Sequence, residues 1–327
     1  MESIADVLII THAGPTVGGG HVSRCFALAE GFASLGVTVK WLVNEYAGGM
    51  LAGRGVNEEY VVVEDNPFAE HIQPSARYQA GAKSRICVVD SYEASPLFLA
   101  EVRATCKTAL IDDCRTRPAE QDCDILLNYN LNATSLGYET GCAKLLLGPE
   151  YALLRSDFWE LAPGGGERIL IIPGASDPLN TGAQFAAWWG EGWPKAELVL
   201  GPLVSSSVAE NLAGAAGPFS NLSVARDPAD LPGRMAGARA VLCTSSVISY
   251  EALSLCKPLA VFQTAENQIG IGREIARLGL GVNLGPWGDW GASELRQALE
   301  NLSPVQKQAV NPRGAVHAAK ALLKESA

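Results

Sequence analysis

Residues 14–30 read GPTVGGGHVSRCFALAE: three glycines, Gly18 to Gly20, run into His21, and Arg24 follows one helical turn later. Glycines ahead of a helix let the backbone approach a phosphate, whose charge the free N–H groups and the helix dipole favour. An imidazole at the same place titrates near neutrality and suits a general base. The alternative is a cap-like role, satisfying backbone groups. Arg24 could pair with an anion or lie on a solvated helix face. The order G-x-x-x-G-G-G-H departs from the dinucleotide fingerprint G-x-G-x-x-G, and Glu45 alone is a weak substitute for a ribose-binding acid, so a nicotinamide enzyme fits poorly.

A second phosphate-type loop is CTSSVISYEAL (243–253). An apolar run ends in Thr244, Ser245 and Ser246, after which Val247, Ile248, Glu251, Ala252 and Leu255 recur at helical spacing. Ser245 or Ser246 is a natural N-cap that sets hydroxyls and amides beside a pyrophosphate. Glu251 is placed to chelate a ribose diol, or to be an ordinary helix glutamate. In GASDPLN (174–180), Gly174 permits close approach, and Asp177 and Asn180 serve ligand binding or helix capping equally well. The triplet Asp122–Cys123–Asp124 imitates a D-x-D metal motif but precedes a strand, so it reads as a turn. No other His/Asp/Glu spacing suggests a metal site.

These residues need a frame. Apolar runs at 6–11, 37–43, 60–63, 86–90, 108–112 and 124–128 are continuous and rich in Val, Ile and Leu, as parallel strands covered on both faces require. The run of proline and glycines at 161–168 breaks the pattern, which restarts with runs at 168–173, 196–201, 221–225, 240–245 and 258–262. The expected fold is therefore α/β, with two Rossmann-like doubly wound domains facing across a cleft (GT-B type). The expected boundaries are 1–161 and 168–311, with a helix from 312 to 327 that could return to the first domain.

Bulk properties set limits. A chain of 327 residues is long enough for two cores, and 48% hydrophobic with 18% charged residues is a folded composition. The net charge of −10 argues against a nucleic-acid partner. Eight cysteines without a C-x-x-C pair read as free thiols in a reducing compartment. The opening MESIADVLII has no basic region and no apolar stretch reaches spanning length, so a cytoplasmic protein without a membrane span is expected.

The stretch GGGHVSRCFALAEGFASLG resembles the G-x-G-H-x-x-R-x-L-x-L-A opening of the UDP-2,4-diacetamido-2,4,6-trideoxy-β-L-altropyranose hydrolases of pseudaminic acid biosynthesis. These are relatives of the muramyl-peptide N-acetylglucosaminyltransferases, of GT-B fold. The similarity continues in order through VVDSYEAS (88–95), LIDDCRTRPAEQDCDILLNYN (110–130), LLLGPEYALLRSDF (146–158), IIPGASDPLN (171–180), SSVISYEAL (245–253) and AENQ (265–268). The transferases usually carry proline where Arg24 stands. The resemblance implies metal- and cofactor-independent hydrolysis of a UDP-linked deoxy amino sugar with inversion, feeding a flagellin-type glycan. It implies that His21 activates water, and that Gly19, Gly20, Arg24, Tyr92, Asn128, Asn130, Tyr151 and Arg155 line the sugar side. UDP would meet Gly174, Ser176, Asp177, Ala225, Arg226, Ser245, Ser246, Val247, Glu251, Asn267 and Gln268. One departure concerns Ile10 and His12, which replace an Arg and an Asp common in the family; His12 either takes over a contact or is an ordinary loop histidine. A GT-B glycosyltransferase and a non-catalytic UDP-sugar-binding protein stay open as alternatives, as does the oligomeric state, monomer included.

Overall fold

The computed structural model describes residues 7–68, 86–216, 221–305 and 308–325, so Asp6 of the first expected strand lies outside the described residues. The chain forms two compact units, Met1–Ser156 with Arg313–Ala327, and Asp157–Pro312.

Unit 1 holds β1 (Val7–Thr11), β2 (Val39–Val43), β3 (Val61–Val63), β4 (Ile86–Asp90), β5 (Lys107–Ile111), β6 (Ile125–Asn128) and β7 (Lys144–Leu147). They make one parallel sheet in the order β3-β2-β1-β4-β5-β6-β7. Every residue of β1 and β4 is buried, which is why their sequences are unbroken apolar runs instead of alternating ones. Helices α1 (Gly20–Ala33), α2 (Glu45–Ala52) and α3 (Pro96–Arg103) follow β1, β2 and β4. α1 buries Val22, Cys25, Leu28 and Phe32.

Unit 2 holds β8 (Ile169–Ile172), β9 (Ala196–Leu200), β10 (Leu222–Arg226), β11 (Ala240–Thr244), β12 (Leu259–Gln263) and β13 (Val282–Pro286), again parallel, in the order β10-β9-β8-β11-β12-β13. Its helices are α4 (Thr181–Trp188), α5 (Ser206–Ala216), α6 (Leu231–Ala236), α7 (Val247–Ser254), α8 (Ile269–Arg277) and α9 (Ala292–Glu300). Phe185, Trp189, Phe262 and Trp290 anchor its core. The glycine run of 161–168 lies against this unit: Gly164 N donates to Ala236 O (2.9 Å), and buried Lys257 Nζ donates to Gly164 O (2.7 Å) and Ala238 O (2.9 Å).

The last helix, α10 (Gly314–Glu325), belongs to unit 1 and packs on α1 and on the 3-10 turn Pro149–Tyr151. Two glycines allow this closeness. A Cβ on Gly31 would sit 2.5 Å from Ala315 O, and one on Gly314 would sit 2.4 Å from Ala152 O.

The α/β, doubly wound fold class expected from the sequence is the observed one. Two strands had no counterpart in that reading, β7 and β13. Both are outer strands; β13 (VNLGP) carries a glycine and ends in proline, tolerable only at a sheet edge. Among the described residues, no helix is long and apolar enough to cross a membrane.

Candidate functional site

In a doubly wound sheet, ligands gather at the carboxyl ends of the strands where the strand order reverses. Unit 1 reverses between β1 and β4, and unit 2 between β8 and β11. The loop after β1 contains the glycines and His21. The loop after β8 contains Gly174–Asn180, and the one after β11 contains Ser245 and Ser246. Each sequence-selected phosphate-type loop thus sits at its unit's reversal point.

In unit 1 the loop is closed on itself, with Gly18 N donating to Gly14 O (2.7 Å) and Gly14 N to Gly18 O (3.2 Å). Gly18 takes φ +77, open to glycine at little cost. Asn44, which caps α2, also donates to Ala13 O (2.8 Å) and accepts from Ala13 N (3.2 Å), so the loops after β1 and β2 are tied together. Gly19 is the N-cap of α1 and brings no capping side chain; Gly20 has open space where a Cβ would stand.

His21, buried at 4% exposure, places Nδ1 2.7 Å from Asp90 Oδ1. Asp90 is the last residue of β4 and lies beside Thr11 in register. Burial penalises its charge, but Arg24 and His21 outweigh that penalty and hold the carboxyl well below the usual carboxylate range. An ionised Asp90 only accepts hydrogen bonds, so the hydrogen of His21 sits on Nδ1 and Nε2 keeps a lone pair. Arg24 Nη2, 3.0 Å from the same Nδ1, is then a neighbour and not a donor to it. Nε2 makes no hydrogen bond among the described residues.

Arg24, also 4% exposed, donates through Nε to Asp90 Oδ2 (2.6 Å), through Nη2 to Asp90 Oδ1 (2.5 Å) and through Nη1 to Asp113 Oδ2 (2.5 Å). Burial disfavours its charge, yet Asp113 and Asp90 raise its pKa well above the ordinary value. Asp113 is likewise penalised by burial and held low by Arg24 and Tyr92. Its Oδ1 accepts from Tyr92 (2.7 Å) and its carbonyl from Asn130 Nδ2 (2.9 Å). The Tyr92 ring stands edge-on to His21, centroids 4.8 Å apart. His12 is buried behind it, its ring centroid 5.6 Å from that of His21, with Nε2 3.1 Å from Ser91 Oγ. Of the other sugar-side candidates, Asn128 donates to Tyr138 (3.0 Å) and accepts from Asn130 N (2.9 Å). Tyr151 lies in the 3-10 turn under α10, and Arg155 follows it.

In unit 2 the side-chain donors of the loop after β11 are uncharged. Ser245 Oγ donates to Gln268 O (2.9 Å) and accepts from Gln263 Nε2 (3.0 Å), which joins the TSS loop to the AENQ segment. Ser246 is the N-cap of α7, but its hydroxyl pairs with Thr244 Oγ1 (3.0 Å) and makes no side-chain cap bond. Glu251 is buried one turn on. Gly174 adopts φ +118, with Thr244 Oγ1 3.8 Å from where its Cβ would be. Asp177 is spent on capping: Oδ1 accepts from Thr181 N and Oδ2 from Gly182 N, both 2.8 Å. Ser176 is half-buried in that loop, and Asn267 and Gln268 form a 3-10 turn with Glu266, where Gln268 Oε1 accepts from Thr264 N (2.9 Å). Ala225 and Arg226 end β10; the Arg226 guanidinium bonds Val204 O (2.7 Å) and Pro202 O (2.8 Å).

The metal-like residues already have partners. Asp124 accepts from Arg103 Nε and Thr108 N, both 2.9 Å, and Asp122 pairs with Arg117. Asp112, Asp113 and Cys114 lie within 4.8 Å of one another, yet Tyr138, Arg24, Tyr92 and backbone amides take the carboxylate oxygens.

Asp90 and Asp113 received no role from the sequence, although both stand in quoted motifs. Their signal was available: an Asp closing a buried strand such as ICVVD must be paired, and a nearby helix offers Arg24 and His21.

No family model matches the chain, and no curated protein matches it. Solved structures do match its fold. MurG of Acinetobacter baumannii aligns at TM-score 0.64 and 15% identity over 98% of this chain and 100% of that one. The UDP-GlcNAc 2-epimerase of Methanocaldococcus jannaschii, in complex with UDP-GlcNAc and UDP, aligns at 0.60 and 12% over 97% and 99%. UGT89C1 of Arabidopsis thaliana, complexed with UDP-L-rhamnose, aligns at 0.61 and 13% over 96% and 93%. The chain therefore has the fold of these GT-B-type proteins, two Rossmann-like α/β domains built on parallel sheets.

Proposed function

We propose that the protein is a nucleotide-sugar enzyme that hydrolyses a UDP-linked deoxy amino sugar, with His21 as the base that activates water. The observation that carries this reading is the Asp90-held imidazole, whose Nε2 lone pair is unspent at the carboxyl edge of the unit 1 sheet. The family resemblance of the sequence and the fold shared with UDP-sugar proteins support the substrate class.

In this mechanism unit 2 holds UDP. Amides at the start of α7, with the Ser246 hydroxyl, take up the negative charge that grows on the diphosphate as the sugar–oxygen bond breaks. Glu251 holds the ribose diol. In unit 1, His21 Nε2 removes a proton from water while the water oxygen bonds the anomeric carbon from the side opposite UDP, so the product is the inverted free sugar. The Asp90, Asp113 and Arg24 charges sum to −1, and an imidazolium at His21 neutralises them. In this reading helix amides and hydroxyls, not a bound cation, take the charge of the leaving group. The fold shared with MurG and UGT89C1 makes transfer to an acceptor the second reading.

The test is incubation with UDP-linked amino sugars and no acceptor, following UDP and free sugar by NMR. Release of both is expected, and His21→Asn should lower kcat by about 10²–10⁴-fold while UDP still binds. Release only with an added alcohol acceptor establishes transfer instead. Epimerised UDP-sugar without release, or binding without turnover, overturns hydrolysis. Near-normal turnover of His21→Asn removes the base.

A further inference from the structure

Arg24 is the most deeply committed charge of unit 1, and the proposed reaction gives it no task. It lies three residues after His21 on α1, hence on the same helix face. Its Nε and Nη2 bond both oxygens of Asp90 (2.6 and 2.5 Å), and Nη1 bonds Asp113 (2.5 Å). Every guanidinium nitrogen therefore already meets a carboxylate, with three of the five N–H groups committed to Asp90 and Asp113. Each carboxylate then continues to a different part of the site. The oxygen of Asp90 that receives Nη2 also accepts from His21 Nδ1 (2.7 Å). Asp113 accepts from the Tyr92 hydroxyl (2.7 Å), and that ring, half exposed, stands against His21 at 78°.

We propose that Arg24 is a positioning residue and not a sugar contact: one guanidinium sets the tautomer of His21 through Asp90 and the seat of Tyr92 through Asp113. The inference rests on His21 being the base. The side-chain type follows from the task. A planar fork can bond one carboxylate in bidentate fashion and still reach a second, whereas a lysine ammonium is a point charge. Without the fork, Asp90 can rotate, and Nδ1 loses the fixed acceptor that keeps the hydrogen away from Nε2.

The test uses Arg24→Lys, Asp113→Asn and Arg24→Ala, each first checked for folding by circular dichroism. The tautomer of His21 is read by ¹⁵N-imidazole NMR, practical in a chain with four histidines; turnover of the UDP-sugar gives kcat and KM. Arg24→Lys should convert the Nδ1–H signature to a mixture and lower kcat by about tenfold or more, with KM held within about threefold. Asp113→Asn keeps the Asp90 arm, so His21 should hold its tautomer while kcat falls by less. If Arg24→Ala folds, millimolar guanidinium should restore both tautomer and kcat. A KM raised about tenfold at unchanged kcat makes Arg24 a substrate contact and overturns the proposal. So does a folded Arg24→Lys with wild-type tautomer and kcat. Were the wild type to hydrolyse no UDP-sugar, the NMR arm would still decide the role of Arg24, so failure of the function and of this inference are separate results.

Discussion

The two reversal points, β1/β4 in unit 1 and β8/β11 in unit 2, share a topology and differ in chemistry. The first is filled with charge: Asp90 and Arg24 are ionised and buried around His21, with the ionised Asp113 half-buried beside them. The second is lined mainly by neutral groups, Thr244, Ser245, Ser246 and Gln263, with the Asp177 carboxylate turned to amides of α4 and Glu251 one turn into α7. The fold supplies only the place, a gap between diverging loops. What fills the gap decides whether it moves protons or accepts an anion. A fixed imidazole needs rigid charged partners, and these exclude an external anion. A diphosphate needs open amides and hydroxyls, and these tolerate no buried carboxylate against its phosphates.

The comparison breaks most visibly at Asp90. Asp90→Ala leaves Arg24 buried with Asp113 as its only carboxylate partner among the described residues, and removing one partner of a buried pair costs about 3–5 kcal/mol. Calorimetric unfolding of unit 1 should show this loss, and UDP affinity, which the proposed function assigns to unit 2, should stay unchanged. The pH dependence has a defined sign. Asp90 and Asp113 have depressed folded pKa values, so their stabilisation is complete above the unfolded value of about 3.9 and is lost as pH falls below it. Asp90→Ala should flatten that acid limb. An unchanged limb would mean that these carboxylates are not the coupled pair of unit 1.

A smaller effect separates the two serines of unit 2. Ser245→Ala leaves Gln263 Nε2 with only Asn283 Oδ1 (2.8 Å) and removes the bond to Gln268, which predicts about 1–3 kcal/mol of destabilisation for a buried donor stripped of a partner. Ser246→Ala loses one bond to Thr244, about 1 kcal/mol or less, and should instead weaken UDP binding by about three- to tenfold, read by isothermal titration. If Ser245→Ala weakened UDP binding while Ser246→Ala did not, the assignment of anchor and donor would be reversed.

Legibility follows the same division. The apolar runs marked eleven of the strands because most of these are parallel strands with well-buried, unbroken apolar sequences. β13 escaped because Asn283 and Gly285 interrupt it and none of its residues is buried, and β7 because it offers only three leucines after an exposed lysine. Gly18–His21 and Ser245–Ser246 were legible because loop chemistry is local: glycine, hydroxyl and helix onset are adjacent in sequence. The ion cluster was not, because it is long-range. Asp90 lies 66 residues from Arg24, and Asp113 lies 89 residues from it. A carboxylate ending a buried strand announces that it needs a cation without saying which one. Asp177 shows the converse: two readings survived in the sequence, and only the bonds to Thr181 and Gly182 reveal its cap.

The smallest effect sharpens the border of the charged site. His12 is buried, and burial first, then the neighbouring His21, lower its pKa, with Glu93 and Asp90 offsetting part of the change. A histidine depressed on folding binds its proton more readily in the unfolded chain, so the folded state loses stability as pH falls from about 6.5 through the lower folded value. The slope for one such group is at most about 1.4 kcal/mol per pH unit. His12→Gln keeps an acceptor for Ser91 and removes the titration. The wild type should therefore lose stability relative to the variant between about pH 6.5 and 5, and run parallel to it above pH 7, in urea unfolding at each pH. Parallel curves throughout would mean that His12 protonates as easily folded as unfolded. The Ser91 hydroxyl would then not depend on a lone pair at Nε2, and the charged cluster would extend to an imidazolium at His12.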